Sequence, residues 1–284
     1  MTSIRDLSTG ADILSSHSSQ LYAKSTHFIQ ELVQNADDNI YPEGRRPTIS
    51  FTYKPGKLRI DCNEVGFTAA NVEAICAVSQ STKSGKAHHG EHIGEKGIGF
   101  KSVFKAADVV WISSRDFSFK FDTTESPLGM VKPEWADFPE PTRPDCTSML
   151  LELSESSNQD ILVRGLLAFD ANLLMFLRRI EEISIQVDQP GRESWEKRIW
   201  KTRDDRGEIG VVNLHDGSDN LQYLIQAHNV KNLPAEEKRP DWSETSILLA
   251  FPVVEAAQEP RLLLQNVYAF LPIRNYGFKV RFRS

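Results

Sequence analysis

The sequence predicts an α+β chain, and three observations carry the prediction. Near the N-terminus Phe28, Ile29, Leu32, Val33 and Ala36 fall on one stripe, the spacing of an amphipathic helix. The segments "TISFTY" and "KLRIDC" then alternate apolar and polar residues around "KPGK", and period two across a Pro-Gly turn marks a β-hairpin. Beyond Ser154 a long apolar helical stretch gives way to a series of strands with polar turns.

Taken in order, the pattern is helical from Gly10 to about Asn39 and is broken by "YPEGRRP". After the hairpin, "TAANVEAICAVSQ" reads as a short helix capped by Thr68, because a threonine oxygen accepts the orphan N–H groups of a first turn. The polar, Gly-rich "STKSGKAHHGEHIGEKG" is a long loop, a length usually kept for function. "GIGFKSVFKAADVVWISS" opens a helix directly from glycines and runs into a strand, with further strands at "FSFKFD" and "SMLLELS". "ILVRGLLAFDANLLMFLRRIEE" reads as helix, and its Leu173–Leu177 stretch as core. Strands follow at "ISIQV", "KRIWKT", "EIGVVNL", "NLQYLIQAH" and "TSILLAFPVV". A boundary falls near residue 155.

Composition bounds the function. With 284 residues, 40% hydrophobic and 25% charged, the chain is globular rather than disordered or fibrous. A formal net charge of −6 argues against a general nucleic-acid or membrane-surface binder. Cys62, Cys76 and Cys146 are too few and too scattered for a disulfide framework or a zinc ribbon, which points to a reducing compartment. There is no signal-peptide run and no stretch of eighteen apolar residues. The expected location is intracellular, cytoplasmic or nuclear.

"ELVQNADDN" raises the functional question. Asn35, Asp37 and Asp38 are poor helix formers, because their short side chains compete for the backbone. Glu31, Asn35 and Asp38, at spacings of four and three, share one helix face and could converge on one ligand. On this helix alone, an ordinary solvated face accounts for the pattern equally well. In "GEKGIGF", Gly94, Gly97 and Gly99 at a helix mouth allow close backbone approach to an anion, although a Gly-rich turn without a ligand would look the same. The order is neither that of a P-loop nor that of a dinucleotide fold. "DCNEVGFT" delivers Asp61, Asn63 and Glu64 and then Gly66 ahead of the capped helix, and Thr147 starts a later strand.

The order and spacing of these segments closely resemble the Bergerat ATP-binding fold, shared by DNA gyrase, the heat-shock chaperone of the ninety-kilodalton class, histidine kinases and MutL. "HFIQELVQNADDN", "NEVGFT" and "GEKGIGFKSVF" look most like its sacsin and plant NO VEIN branch. The resemblance covers residues 10 to 155 and returns faintly at "VYAFLPIRNYGFK". It implies a two-layer sandwich, a mostly antiparallel sheet with helices on one face, as an ATP-binding domain over 1–155, followed by a helix and a β-rich continuation over 156–284.

The resemblance also implies roles. Glu31 matches a general base that polarises water, Asn35 a Mg²⁺ ligand, and Asp38 an acidic residue at the nucleotide's edge. Gly94, Gly97, Ile98, Gly99 and Phe100 match backbone that wraps the phosphates, and Thr147 a hydroxyl that helps hold adenine. ATP and Mg²⁺ are the implied cofactors, with weak ATPase activity as a chaperone-like conformational switch. The implied partners are a protein client and a nucleotide-dependent dimer mate. Lys83 and Lys86 could close over phosphates, or be part of a solvated basic loop. His88, His89 and His92 lack partners spaced for tetrahedral zinc.

One departure stands out. Where the chaperone and gyrase branches place an adenine-binding Asp, an ungapped match puts Cys62, a poor acceptor, and the motif's first glycine is Glu64. Asp61 or Asn63 could substitute if the strand shifts by one residue. The rival function is a nucleotide-binding or degenerate interaction module without turnover. A histidine kinase is disfavoured, since no acceptor-histidine helix pair precedes the nucleotide motifs.

Overall fold

The computed structural model describes residues 27–76, 98–206, 209–217, 219–234, 243–253, 266–269, 271–275 and 281–283. The fold is α+β, with mostly antiparallel strands and few helices. Two compact units divide the chain: the first comprises residues 1–45, 49–169 and 185–196, and the second 46–48, 170–184 and 197–284.

In the first unit, helix α1 (residues 27–37) buries the predicted stripe of Phe28, Ile29, Leu32, Val33 and Ala36. Strands β1 (Thr48–Lys54) and β2 (Lys57–Cys62) pair in antiparallel register, with Phe51 opposite Ile60 and Tyr53 opposite Leu58. Pro55 and Gly56 turn the hairpin; Gly56 adopts φ +79°, a region open to glycine but costly for other residues. Helix α2 (Ala69–Cys76) follows the Thr68 cap: the Asn71 N–H donates to Thr68 Oγ1 at 3.3 Å, and the Thr68 N–H to Asn71 Oδ1 at 2.9 Å. Two orphan donors are thus satisfied reciprocally.

The short helix α3 (Ile98–Lys101) passes through a 3-10 turn (Ser102–Lys105) into β3 (Ala107–Ser114). Next come β4 (Phe117–Asp122), the two-residue β5 (Glu134–Trp135) and β6 (Thr147–Leu153). The sheet order is β1-β2-β6-β3-β4-β5, with the second half of β7 (Glu182–Val187) beside β1. Leu58, Ile60, Leu151, Val110, Ile112, Phe119 and Phe121 make one buried face. Each such side chain contributes about 1.5–3 kcal/mol when fully buried.

The long apolar stretch expected as one helix is two pieces, α4 (Gln159–Leu167) and α5 (Leu173–Phe176). The Asp170 carboxylate accepts from the Asn172 N–H at 3.0 Å and from Asn172 Nδ2 at 2.6 Å, a local turn that competes with helix continuation. Leu173 to Leu177 are buried, as expected of core.

In the second unit the strand order is β8 (Trp195–Arg206), β9 (Ile209–Asp216), β10 (Asp219–Lys231), β11 (Glu244–Pro252), β14 (Arg281–Arg283), β12 (Asn266–Ala269) and β13 (Leu271–Asn275). The pair β12 and β14 runs parallel. The buried Lys201 amine donates to the carbonyls of Leu174 and Leu177 at 2.9 and 2.6 Å, satisfying the C-terminal end of α5. Among the described residues no helix is long and apolar enough to cross a membrane.

Candidate functional site

The end of α1 does not present its aspartates to solvent. Asp37 and Asp38 are buried, while Glu31 and Asn35 are half-buried. Asp38 sits one residue past the helix with its N–H still on Gln34 O at 3.0 Å. Glu31 lies one turn from His27, with 3.5 Å between Oε1 and Nδ1. The two short acidic side chains are therefore interior at the helix end.

Tyr41, which the sequence reading passed over, ties this end of α1 to the sheet. Its hydroxyl donates to Ala36 O at 2.6 Å and lies 3.1 Å from Cys62 Sγ. Burial, with Cys62, Glu64 and Asp37 nearby, pushes the phenol well above its usual range. Burial likewise pushes the Cys62 thiol up to about 12, with the Glu64 carboxylate adding to the effect. The thiol is thus neutral at physiological pH. The signal that could have found Tyr41 is its place just after "NADDN", where the chain must turn back under the helix.

Cys62 pairs directly with Thr147 across the β2–β6 ladder, so both side chains leave the same face of the sheet. The Ser148 and Asp61 pair leaves the opposite face. Asp61 thus lies on the face away from Cys62 and Thr147. Asp61 is instead held by Arg59 through Nε and Nη2 at 3.0–3.2 Å, by Ser148 Oγ at 2.6 Å and by Arg143 Nε at 3.3 Å. Asn63 lies in the coil beyond the strand, and Glu64 is buried, with 6% of its surface exposed.

Gly66 makes the turn that follows. It adopts φ +87°, and an added Cβ would sit 2.6 Å from the Arg115 side chain. Arg115 Nε in turn donates to Val65 O. The Val65 N–H donates to Ile40 O at 2.9 Å, tying the turn to the segment after α1. The Phe67 N–H donates to Ser114 Oγ at 2.8 Å, and Ser114 Oγ lies 2.6 Å from Thr147 Oγ1. Ser114, also passed over in the sequence, sits at the end of β3 as the next inward residue after Ile112.

Lys83, Lys86, His88, His89, His92, Gly94 and Gly97 lie outside the described residues. Ile98 and Gly99 fall in the first turn of α3. The Phe100 ring is buried among Phe104 and Phe121 at centroid distances of 6.2 and 5.9 Å. Any ligand contact there belongs to its backbone. Lys101 lies 5.1 Å over the Phe121 ring and donates to Met130 O, and burial holds its amine below the usual range.

A separate cavity of about 370 Å³ opens on the opposite sheet face, lined by Lys54, Lys57, Arg59, Glu140, Arg143 and Asp188 among others. Several of its charges are paired locally: Arg59 with Asp61 and Glu140, and Arg143 with Asp61, while hydrogen bonds from Ser194 and Gln186, with Lys54 adding to them, hold the Asp188 carboxyl below its usual range. It does not include the residues singled out from the sequence.

Over 286 aligned positions, 92% of this chain, the sequence is 32% identical to Protein NO VEIN of Arabidopsis thaliana. The chain spans about a tenth (10%) of that relative's length. No family model matches. The likeness expected from "HFIQELVQNADDN", "NEVGFT" and "GEKGIGFKSVF" thus extends to a NO VEIN-like homology over most of the chain.

Proposed function

We propose that the first unit carries a nucleotide-binding site of the Bergerat type for Mg·ATP, and that the protein is a slow ATPase acting as a chaperone-like conformational switch inside the cell. One observation carries the reading: the α1 end, Cys62, Thr147 and the Gly66 turn, far apart in sequence, are joined through Tyr41 and Ser114 on a single sheet face. The likeness of the glycine motif at residues 94–100 supplies the phosphate end.

The donor set suits a hard cation held mainly by phosphate oxygens and water. Asn35, half-buried on α1, offers one amide oxygen, a ligand class Mg²⁺ accepts. When bound, Mg²⁺ would offset phosphate charge. Glu31 would take a proton from the attacking water, and the α3 backbone would donate N–H groups to the phosphates. Phosphate release from Mg·ATP by the purified chain tests turnover.

The second reading is a module that binds nucleotide without turnover. It is favoured by the neutral thiol at position 62, capped by Tyr41. ATP binding without phosphate release would select it. A protein client and a nucleotide-dependent dimer mate belong to the proposal in either form.

A further inference from the structure

Two buried hydroxyls and one backbone N–H meet behind the Gly66 turn, and their protons can be counted. Ser114 and Thr147 are 1% and 2% exposed. Ser114 Oγ accepts from the Phe67 N–H at 2.8 Å and lies 2.6 Å from Thr147 Oγ1. Each hydroxyl has one proton and two lone pairs. The short contact uses one of the two hydroxyl protons, and the other meets no acceptor among the described residues. Among the described residues this enclosed donor has no acceptor, a costly state that a ligand or ordered water would relieve.

The direction of the chain decides which oxygen keeps the spare proton. Accepting from the Phe67 N–H polarises Ser114 Oγ and strengthens it as a donor. A head-to-tail run from Phe67 N–H to Ser114 to Thr147 leaves the Thr147 proton free, on the sheet face shared with Cys62. The reverse order would make Ser114 accept twice and leave its own proton without an acceptor at the end of β3.

We infer that Ser114 is a positioning residue: it gives its proton to Thr147 and so makes the Thr147 hydroxyl a hydrogen-bond donor toward a ligand acceptor. The inference rests on the nucleotide reading, under which the acceptor is a ring nitrogen of a purine base. The test is equilibrium binding of Mg·ATP and its 1-deaza, 3-deaza and 7-deaza analogues to the native chain, Thr147→Val, Thr147→Ser and Ser114→Ala.

One analogue should bind the native chain about tenfold more weakly than ATP, the scale of one lost hydrogen bond. The penalty should vanish in Thr147→Val, shrink in Ser114→Ala and persist in Thr147→Ser. A penalty undiminished in Ser114→Ala, or a Ser114→Ala variant that weakens ATP and every analogue equally, overturns the positioning role. Equal binding of ATP and all three analogues by the native chain overturns the Thr147 donor. Failure of the native chain to bind ATP ends the nucleotide reading and this inference with it, and that result is visible before any variant is made.

Discussion

At the scale of single residues, the protein surrounds a thiol with groups that keep it protonated. With the Cys62 thiol pushed from 9.0 to about 12, alkylation of this residue in the native state should be negligible at pH 8 and rise steeply only above about pH 11, because the thiolate is the nucleophile. Mass-spectrometric mapping after iodoacetamide checks this; rapid native-state labelling of Cys62 at pH 8 would contradict it. The sign for stability follows from linkage: a raised folded-state value favours the protonated thiol, so the contribution is full below pH 9 and is lost as pH rises toward 12. Glu31 belongs to this scale as well. Glu31→Ala should lower any ATP turnover by about 10²- to 10⁴-fold, the usual worth of a general base, while leaving binding intact. An unchanged turnover rate would remove Glu31 from the mechanism. The sequence showed the polar residues of α1 but not that Asp37 and Asp38 are buried, since a helical wheel records direction and not what the following chain folds over.

At the scale of elements, the turn between β2 and α2 holds the candidate site together. Gly66 is constrained twice, by its φ of +87° and by Arg115 beside it. Gly66→Ala should therefore destabilise the fold by more than the ~1 kcal/mol expected of an ordinary glycine substitution. Adding Arg115→Ala should recover the steric part and not the backbone part. Denaturant unfolding of the two variants separates them, and equal midpoints for single and double variants would contradict the close-contact account. The hairpin, α2 with its Thr68 cap, and β3, β4 and β6 were legible in the sequence because periodicity and turn chemistry agree there. The break between α4 and α5 was not, because the apolar pattern runs straight across Asp170 while the side chain of that residue closes a local turn. The two-residue β5 was also missed: it forms by pairing with Phe119 and Lys120 of β4, a partner no local pattern shows. The same holds for the Cys62–Thr147 register and the Ser114 bridge, which are products of strand pairing across many residues.

At the scale of the whole molecule, the central claim is that motifs dispersed over residues 27 to 153 assemble one nucleotide site. Alternation alone separates Cys62 and Thr147 from Asp61 and Ser148 onto opposite faces, and Tyr41 and Ser114 join the first pair to the helix end and the turn. The most direct measurement is calorimetric titration of Mg·ATP into the purified chain beside Asn35→Ala. Saturable binding by the native chain, lost or strongly weakened in Asn35→Ala, is the predicted result. No heat of binding in either protein, with both folded by circular dichroism, would contradict the claim.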